Sequence, residues 1–309
     1  MSLRLGIIGY PLTHTLSPFI HQAFLKQFGM PGSYEVLPCQ KALDQIALAH
    51  EQGFKGLNVT IPHKVTVAAA LGKLTVQAKL VGAVNTISFV DSEADYNFVD
   101  TAGGDTLRRG KSNWHQISGH NTDVVGLARV LRAHDVQGQV VILGAGGAAR
   151  AALVALEAHG CPGAVVVARQ YPRAQSMLQS LLEAGLSPAF LANCSILSIE
   201  QLPHKLDLIA RAGCFINASP IGQGLIELPF WLTPLLNSFG RDALILDLVY
   251  ARGGRTALCQ LAKGTGFRRV EDGRQMLVEQ ARQAFKIWTG LTAAYSVGFD
   301  ALEKAQTID

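Results

Sequence analysis

Short runs of β-branched and aliphatic residues alternate along this chain with longer stretches in which apolar side chains recur every three or four positions. Residues 3–8, 34–37, 57–60 and 86–90 have the first character and predict strands, while 18–28 and 42–52 have the second and predict helices between them. That rhythm predicts a mostly parallel sheet. From 91 to 114 the apolar period fails and polar, Gly-rich sequence takes over, which predicts an extended hairpin or a surface loop. A second series follows, with a helix from near 124 to about 134, a strand at 139–143, a helix from 147, and strands at 164–168, 214–217 and 244–248. This series predicts a Rossmann-type domain. The segment 274–304 reads as helical, with Met276, Leu277, Ala281, Phe285, Ile287 and Trp288 at apolar positions. It is expected to return onto the first domain and close a cleft between the two.

Composition narrows the class. With 309 residues, 49% of them hydrophobic and 16% charged, the chain can bury a large core and divide into two domains. The formal charge of +4 is small and the basic residues are scattered, so nucleic acid is not an expected partner, whereas a small anionic substrate is compatible. Cys39, Cys161, Cys194, Cys214 and Cys259 are widely spaced and form no Cys-x-x-Cys pair. They read as core fillers in a reducing compartment, and no metal is expected. The start of the chain carries one basic residue and an apolar run too short for a signal peptide. The most apolar window, 140–156, contains Arg150 and a glycine cluster, so it divides into strand, turn and helix rather than forming a membrane span. A soluble cytoplasmic protein is expected, a monomer or homodimer, with no membrane partner.

The run Gly144-Ala145-Gly146-Gly147-Ala148-Ala149-Arg150 follows a predicted strand and opens a predicted helix, the context that gives the G-x-G-x-x-G/A pattern its meaning. Gly144 permits the tight turn, Gly146 lets the backbone approach a pyrophosphate, and Ala149 lets the helix pack closely on the sheet. The helix N-terminus offers free N–H donors to phosphates. At the end of the next strand the chain reads Ala168-Arg169-Gln170-Tyr171-Pro172-Arg173, where an NAD site would normally place a carboxylate. Arg169 and Arg173 instead suit the 2′-phosphate of NADP, one helical turn apart; each could equally be a solvated surface arginine.

In the first half, Asn58-Val59-Thr60-Ile61-Pro62-His63-Lys64 ends a strand and places Lys64 in a first helical turn, and Gly119-His120-Asn121-Thr122-Asp123 leads into another helix. Lys64 could be poised for proton transfer or be an ordinary surface lysine, and Asn121 or Thr122 could be a plain N-cap.

Taken together, these segments resemble the shikimate dehydrogenase family over nearly the whole chain. The resemblance rests on Gly9-Tyr10-Pro11, on His14-Thr15-Leu16-Ser17-Pro18 with His21, on 58–64, Gly82-Ala83-Val84-Asn85-Thr86 and Asn121-Thr122-Asp123, and on the 144–150 turn. It continues through Asn217-Ala218-Ser219-Pro220-Ile221-Gly222, Asp247 with Tyr250, and Gly273, Met276, Leu277, Gln280 and Ala281. It implies that Lys64 and Asp123 form the catalytic pair, that Thr15 and Ser17 bind a substrate carboxylate, and that Asn58, Thr60, Asn85, Tyr250 and Gln280 hold a hydroxylated ring. On the cofactor side it implies NADP, with Gly144, Gly146, Gly147, Ala148 and Ala149 at the pyrophosphate, Arg169 and Arg173 at the 2′-phosphate, and Gly273 and Met276 near the nicotinamide.

The implied fold class is α/β: an N-terminal substrate domain with a mostly parallel sheet (1–122 with 274–309), a Rossmann-type NADP-binding domain (123–273), and an active-site cleft between them. The implied reaction is reversible, NADPH-dependent reduction of 3-dehydroshikimate to shikimate. Thr15 stands where the family commonly has Ser, Ala168 and Gln170 depart from its usual Asn-Arg-Thr, and Val124 replaces a usual Gly. A relative acting on quinate, an aminoshikimate or another cyclic hydroxy acid is therefore an alternative, and a ligand-sensing or partner-binding module without turnover is an alternative of another class.

Overall fold

The computed structural model describes residues 2–12, 15–89, 98–100, 117–222, 227–251 and 255–306. The chain forms two compact units, Met1–Gly126 with Leu277–Ile308, and Leu127–Met276.

The first unit is built on a seven-stranded sheet ordered β2-β1-β3-β5-β7-β4-β6. Its strands are β1 (Leu3–Gly9), β2 (Gly32–Pro38), β3 (Gly56–Val59), β4 (Lys73–Thr75), β5 (Thr86–Ser88), β6 (Phe98–Asp100) and β7 (Ser118–His120). Strands β2, β1 and β3 are mutually parallel, β7 is parallel to β4, β5 runs against β3 and β7, and β6 runs against β4. Apart from that short strand, the 91–114 stretch expected to be an extended hairpin or a surface loop lies outside the described residues, as does His14.

Alternation along β1 sorts the core of this unit. Ile8 joins Ile46 and Ala49 of the helix α2 (Ala42–Glu51), whereas Leu5 and Ile7 join Tyr34, Ala284, Ile287 and Trp288. The helices α1 (Ser17–Gln27), α3 (Lys64–Ala70), α4 (Val76–Val81) and α5 (Thr122–Ala133) follow the strands. Register carries functional consequences: Asn58 pairs across β3 and β5 with Thr86, and Thr86 pairs across β5 and β7 with His120. The polar residues flanking these positions therefore emerge at one end of the sheet.

The second unit is a wholly parallel six-stranded sheet, ordered β10-β9-β8-β11-β12-β13. Its strands are β8 (Val140–Leu143), β9 (Ala164–Ala168), β10 (Ser195–Ser198), β11 (Cys214–Asn217), β12 (Leu244–Asp247) and β13 (Arg269–Glu271). Counted within the unit this is the doubly wound 3-2-1-4-5-6 order, whose switch point lies between β8 and β11. The accompanying helices are α6 (Gly147–His159), α7 (Tyr171–Ala184), α8 (Pro188–Ala192), α9 (Leu206–Ala210), α10 (Leu232–Asn237) and α11 (Ala257–Gly264). The four residues of β8 and the five of β9 are all buried, as strands covered on both faces must be.

The C-terminal segment departs from the continuous helix that its periodicity predicts. It forms α12 (Arg274–Thr289) and α13 (Tyr295–Gln306), separated at Gly290, whose φ of 74° is left-handed and stops the helix. The Thr289 hydroxyl donates to Phe285 O at 2.7 Å and accepts the Leu291 N–H at 3.1 Å, which closes the turn. Helix α13 then packs on α1, where a side chain at Gly298 would meet the Phe24 ring at 2.8 Å.

Candidate active site

A cluster of polar side chains gathers at the end of the first unit's sheet. Helix α3 begins at Lys64, and the Val84 N–H donates to Lys64 O at 2.9 Å, which ties the helix start to the strand entry. Asn121 caps α5 by accepting the Val124 N–H at 3.3 Å, and its amide donates to Ala83 O at 2.9 Å. Asp123 is thereby set in the first turn of α5, and Lys64 Nζ donates to its Oδ2 at 2.7 Å. The pair is not sealed, since 28% of the Lys64 side chain and 14% of that of Asp123 stay exposed.

Asn85 occupies the centre. Its Oδ1 accepts the Thr122 N–H at 2.8 Å, and its Nδ2 lies 2.8 Å from Asp123 Oδ1, 3.0 Å from Thr122 Oγ1 and 3.2 Å from Gln280 Oε1. Asn58 sits behind it, donating through Nδ2 to Asn85 O at 3.2 Å and to Thr86 Oγ1 at 3.1 Å. Its Oδ1 accepts the Tyr34 hydroxyl at 2.7 Å. Both Asn58 amide hydrogens thus serve the protein, and the His21 imidazole lies against the Asn58 side chain as well.

The structure therefore brings Lys64, Asp123, Asn85, Asn58 and Gln280 into one network. Tyr34, Thr86 and Thr122 complete it; Thr86 and Thr122 lie in the two Asn-Thr motifs that the sequence offers, whereas no motif contains Tyr34. One sign was available for Tyr34: it is the only buried residue of β2, and a buried phenol needs a partner for its hydroxyl. Burial holds that phenol well above its ordinary range, with the Ser17 hydroxyl beside it acting weakly the other way. The His21 ring stacks on Tyr34 at 4.4 Å, and its own burial lowers its pKa to about 3. Thr15 and Ser17 stand together at the start of α1, where the Ser17 N–H donates to Thr15 Oγ1 at 3.3 Å. Thr60 is half-buried just beyond β3.

The remaining predicted residues lie in the second unit. Gly144 ends β8 with φ +124°, and an added Cβ would come within 2.9 Å of Ala218 O just beyond β11, at the switch point. The turn thus requires glycine there. Around Gly146 and Gly147 nothing lies within 4 Å of an added Cβ, while Ala149 is fully buried. Open space before the N-terminus of α6 is the room that a pyrophosphate needs.

Arg169 and Arg173 are both exposed. The spacing that suggested one helical turn meets a different geometry, because α7 begins only at Tyr171 and Arg169 lies in the bend before it. Gly273 has a structural reason of its own, since a Cβ there would meet Leu248 O at 2.5 Å. Met276 follows in the first turn of α12, and Tyr250 is half-buried three residues beyond β12.

Asn217 shapes the loop after β11. Its Nδ2 donates to Ile221 O at 3.0 Å and to Asp247 Oδ1 at 2.8 Å, and its Oδ1 accepts the Ser219 N–H and hydroxyl at 3.1 and 2.6 Å. Asp247 is fully buried, and burial raises its pKa to about 6 against the pull of its hydrogen-bond donors.

Two family profiles match the chain: the shikimate dehydrogenase substrate binding domain over residues 7–87 and the shikimate 5′-dehydrogenase C-terminal domain over 273–302. The chain is 34% identical over 298 residues to shikimate dehydrogenase (NADP(+)) of Gluconobacter oxydans, covering 93% of this chain and 90% of that one. Shikimate 5-dehydrogenase from Thermus thermophilus, solved in complex with shikimate, is similar with a TM-score of 0.75 and 28% identity, over 99% of this chain and 100% of that one. Quinate dehydrogenase from Corynebacterium glutamicum, solved in complex with NAD, is similar with a TM-score of 0.79 and 26% identity, over 98% of this chain and 99% of that one.

Proposed function

The chain belongs to the shikimate dehydrogenase family, and from that premise we infer that it catalyses the reversible, NADP-dependent interconversion of 3-dehydroshikimate and shikimate. The observation that carries the site assignment is the Lys64–Asp123 contact of 2.7 Å, with Asn85 on the other carboxylate oxygen. NADP(H), when bound, supplies or accepts the hydride.

In the oxidising direction the substrate hydroxyl loses its proton as the hydride leaves the ring carbon. Lys64 and Asp123 take up that proton and offset the charge on the departing oxygen; in reduction they return it. The two groups act as one coupled unit. Thr15 and Ser17 receive the carboxylate, while Thr60, Gln280, Tyr250, Asn85 and Asn58 orient the ring and its hydroxyls without adding a titrating charge.

The residues present fit the cofactor. Gly144 holds the turn, Gly146, Gly147, Ala148 and Ala149 leave room for the pyrophosphate, and Gly273 and Met276 flank the nicotinamide. Arg173 is a cation in the first turn of α7, an unfavourable place that an anionic 2′-phosphate makes favourable, and Arg169 joins it from the preceding bend. In this reading the first unit carries the substrate and the second the cofactor. The enzyme works in the cytoplasm as a monomer or homodimer, independently of nucleic acid. Among the described residues no helix is long and apolar enough to cross a membrane.

Likeness to the Corynebacterium quinate dehydrogenase, together with Thr15 at the carboxylate end, favours action on quinate as a second reading. Steady-state assays of shikimate, quinate and aminoshikimate with NADP and NAD distinguish the two. Shikimate with NADP is expected to give the highest kcat/KM. Higher efficiency with quinate would favour the second reading, and no turnover of any of them would refute both.

A further inference from the structure

We propose that Tyr34 is a positioning residue for the Lys64–Asp123 pair, acting through a one-way chain of hydrogen bonds that runs from Tyr34 through Asn58, Thr86 and Asn85 to Asp123. The proposal rests on the catalytic reading of that pair and adds a buried support to it.

Backbone groups fix the sense of three of the four links. Asn85 O can only accept, so the Asn58 atom facing it at 3.2 Å is Nδ2, and Asn58 Oδ1 must face Tyr34. The Tyr34 hydroxyl must then donate, at 2.7 Å. The Thr122 N–H can only donate, so the Asn85 atom facing it at 2.8 Å is Oδ1, and Nδ2 points to Asp123 Oδ1 at 2.8 Å. Thr86 Oγ1 receives an Asn58 N–H at 3.1 Å and lies 3.1 Å from Asn85 Oδ1, the nearer acceptor for its own hydrogen, with Thr122 Oγ1 at 3.3 Å. Four consecutive links thus donate toward the carboxylate, and bonds aligned in this way polarise one another.

The groups along the chain do not themselves change charge near neutrality. Burial keeps the Tyr34 phenol protonated. Burial also keeps His21, stacked on it from α1, and His120, on the neighbouring strand β7, neutral, each with a pKa of about 3. Asp123 itself faces Lys64 from α3 and Asn85 from the start of β5, while Thr122 of α5 and Gln280 of α12 face the same Asn85 amide. Lys64 is therefore the charged partner in direct contact with it. Tyr34 is buried, and its hydroxyl reaches the pair through Asn58.

Two readouts test this on the full-length protein. The first is a carbon-13 NMR titration of the Asp123 carboxylate without substrate, assigned by the signal lost in Asp123→Asn. The second is the pH profile of kcat. Each link strengthens its neighbour, so relative to wild type Tyr34→Phe and Thr86→Val should both move the carboxylate titration upward, Thr86→Val by more because it stands nearer to Asp123. The acid limb of kcat should move in the same direction, with the affinity for NADPH unchanged. Thr86→Ser, which keeps the hydroxyl, should restore both profiles.

If Thr86→Val does not fold, Tyr34→Phe, which removes a single oxygen, carries the test. Unshifted titrations in folded variants would overturn the relay and leave Tyr34 as packing. A wild-type protein without turnover would refute the enzymatic reading instead, and the NMR arm would still decide the relay.

Discussion

Asp247 should make the stability of this protein depend on pH in the sense opposite to that of most carboxylates. It is fully buried, and its Oδ1 accepts Asn217 Nδ2 at 2.8 Å and the Val249 N–H at 3.1 Å, while its Oδ2 accepts no hydrogen bond among the described residues. Burial raises its pKa from 3.8 to about 6. Between these two values the folded state holds the proton more tightly than the unfolded state, so stability falls as pH rises through that window. The difference in pKa corresponds to a penalty of about 3 kcal/mol above pH 7, and about half of it is relieved at pH 5.

Asp247→Asn keeps an acceptor for Asn217 and Val249 but cannot ionise. Urea unfolding of wild type and variant at pH 5 and pH 8 measures the effect. The stability of the variant relative to wild type should be about 1.5 kcal/mol greater at pH 8 than at pH 5. Any constant packing cost of the substitution cancels in that comparison. Asp272, the carboxylate that raises Asp247 further, is held by Arg274 at 2.8 Å and is left in place. Parallel pH dependences for the two proteins would refute the reasoning, because they would mean that Asp247 ionises alike in the folded and unfolded chains.

Three further outcomes are expected. Lys64→Ala and Asp123→Asn should each lower kcat by about 10²–10⁴-fold while leaving the NADPH Kd from fluorescence titration within error of wild type; a near-normal kcat in either folded variant would remove the pair from catalysis. Arg169→Asp should shift the ratio of kcat/KM values from NADP toward NAD, with Arg173→Ala acting in the same direction but less, and an unchanged ratio would make both ordinary surface residues. Gly146→Val should fold with an unaltered Tm, since its Cβ meets nothing within 4 Å, yet lose NADP affinity; Gly144→Val should instead lose several °C, because the side chain is forced into φ +124° and against Ala218 O. Equal melting of the two would contradict that distinction.

The parts that the amino-acid sequence determined are those that local rules govern. Uninterrupted β-branched runs such as Val165-Val166-Val167 can only be strands covered on both faces, and they are. The glycine turn after β8 required both a left-handed residue and a place between strand and helix, and positions 144–147 supplied both. Short or polar strands were less legible. Edge strand β10, half-buried and flanked by serines, has no alternation to read, and three-residue β13 is shorter than any periodicity. The break at Gly290 was hidden because it turns on the left-handed torsion of one glycine, which apolar spacing does not report, and five residues pass before α13 begins.

Tertiary structure alone decided which polar groups meet. Asn85 and Gln280 lie 195 positions apart, Tyr34 and Asn58 24, and Lys64 and Asp123 59, so no spacing rule relates them. What joins them is strand register, which puts Asn58, Thr86 and His120 side by side, and the packing of α12, which delivers Gln280 to the same end of the sheet. The directions of the amide hydrogen bonds of Asn58 and Asn85 then follow from backbone groups, Asn85 O and the Thr122 N–H, that meet them only once the sheet has formed. Residue type set what each group could do, and the fold determined for whom it does it.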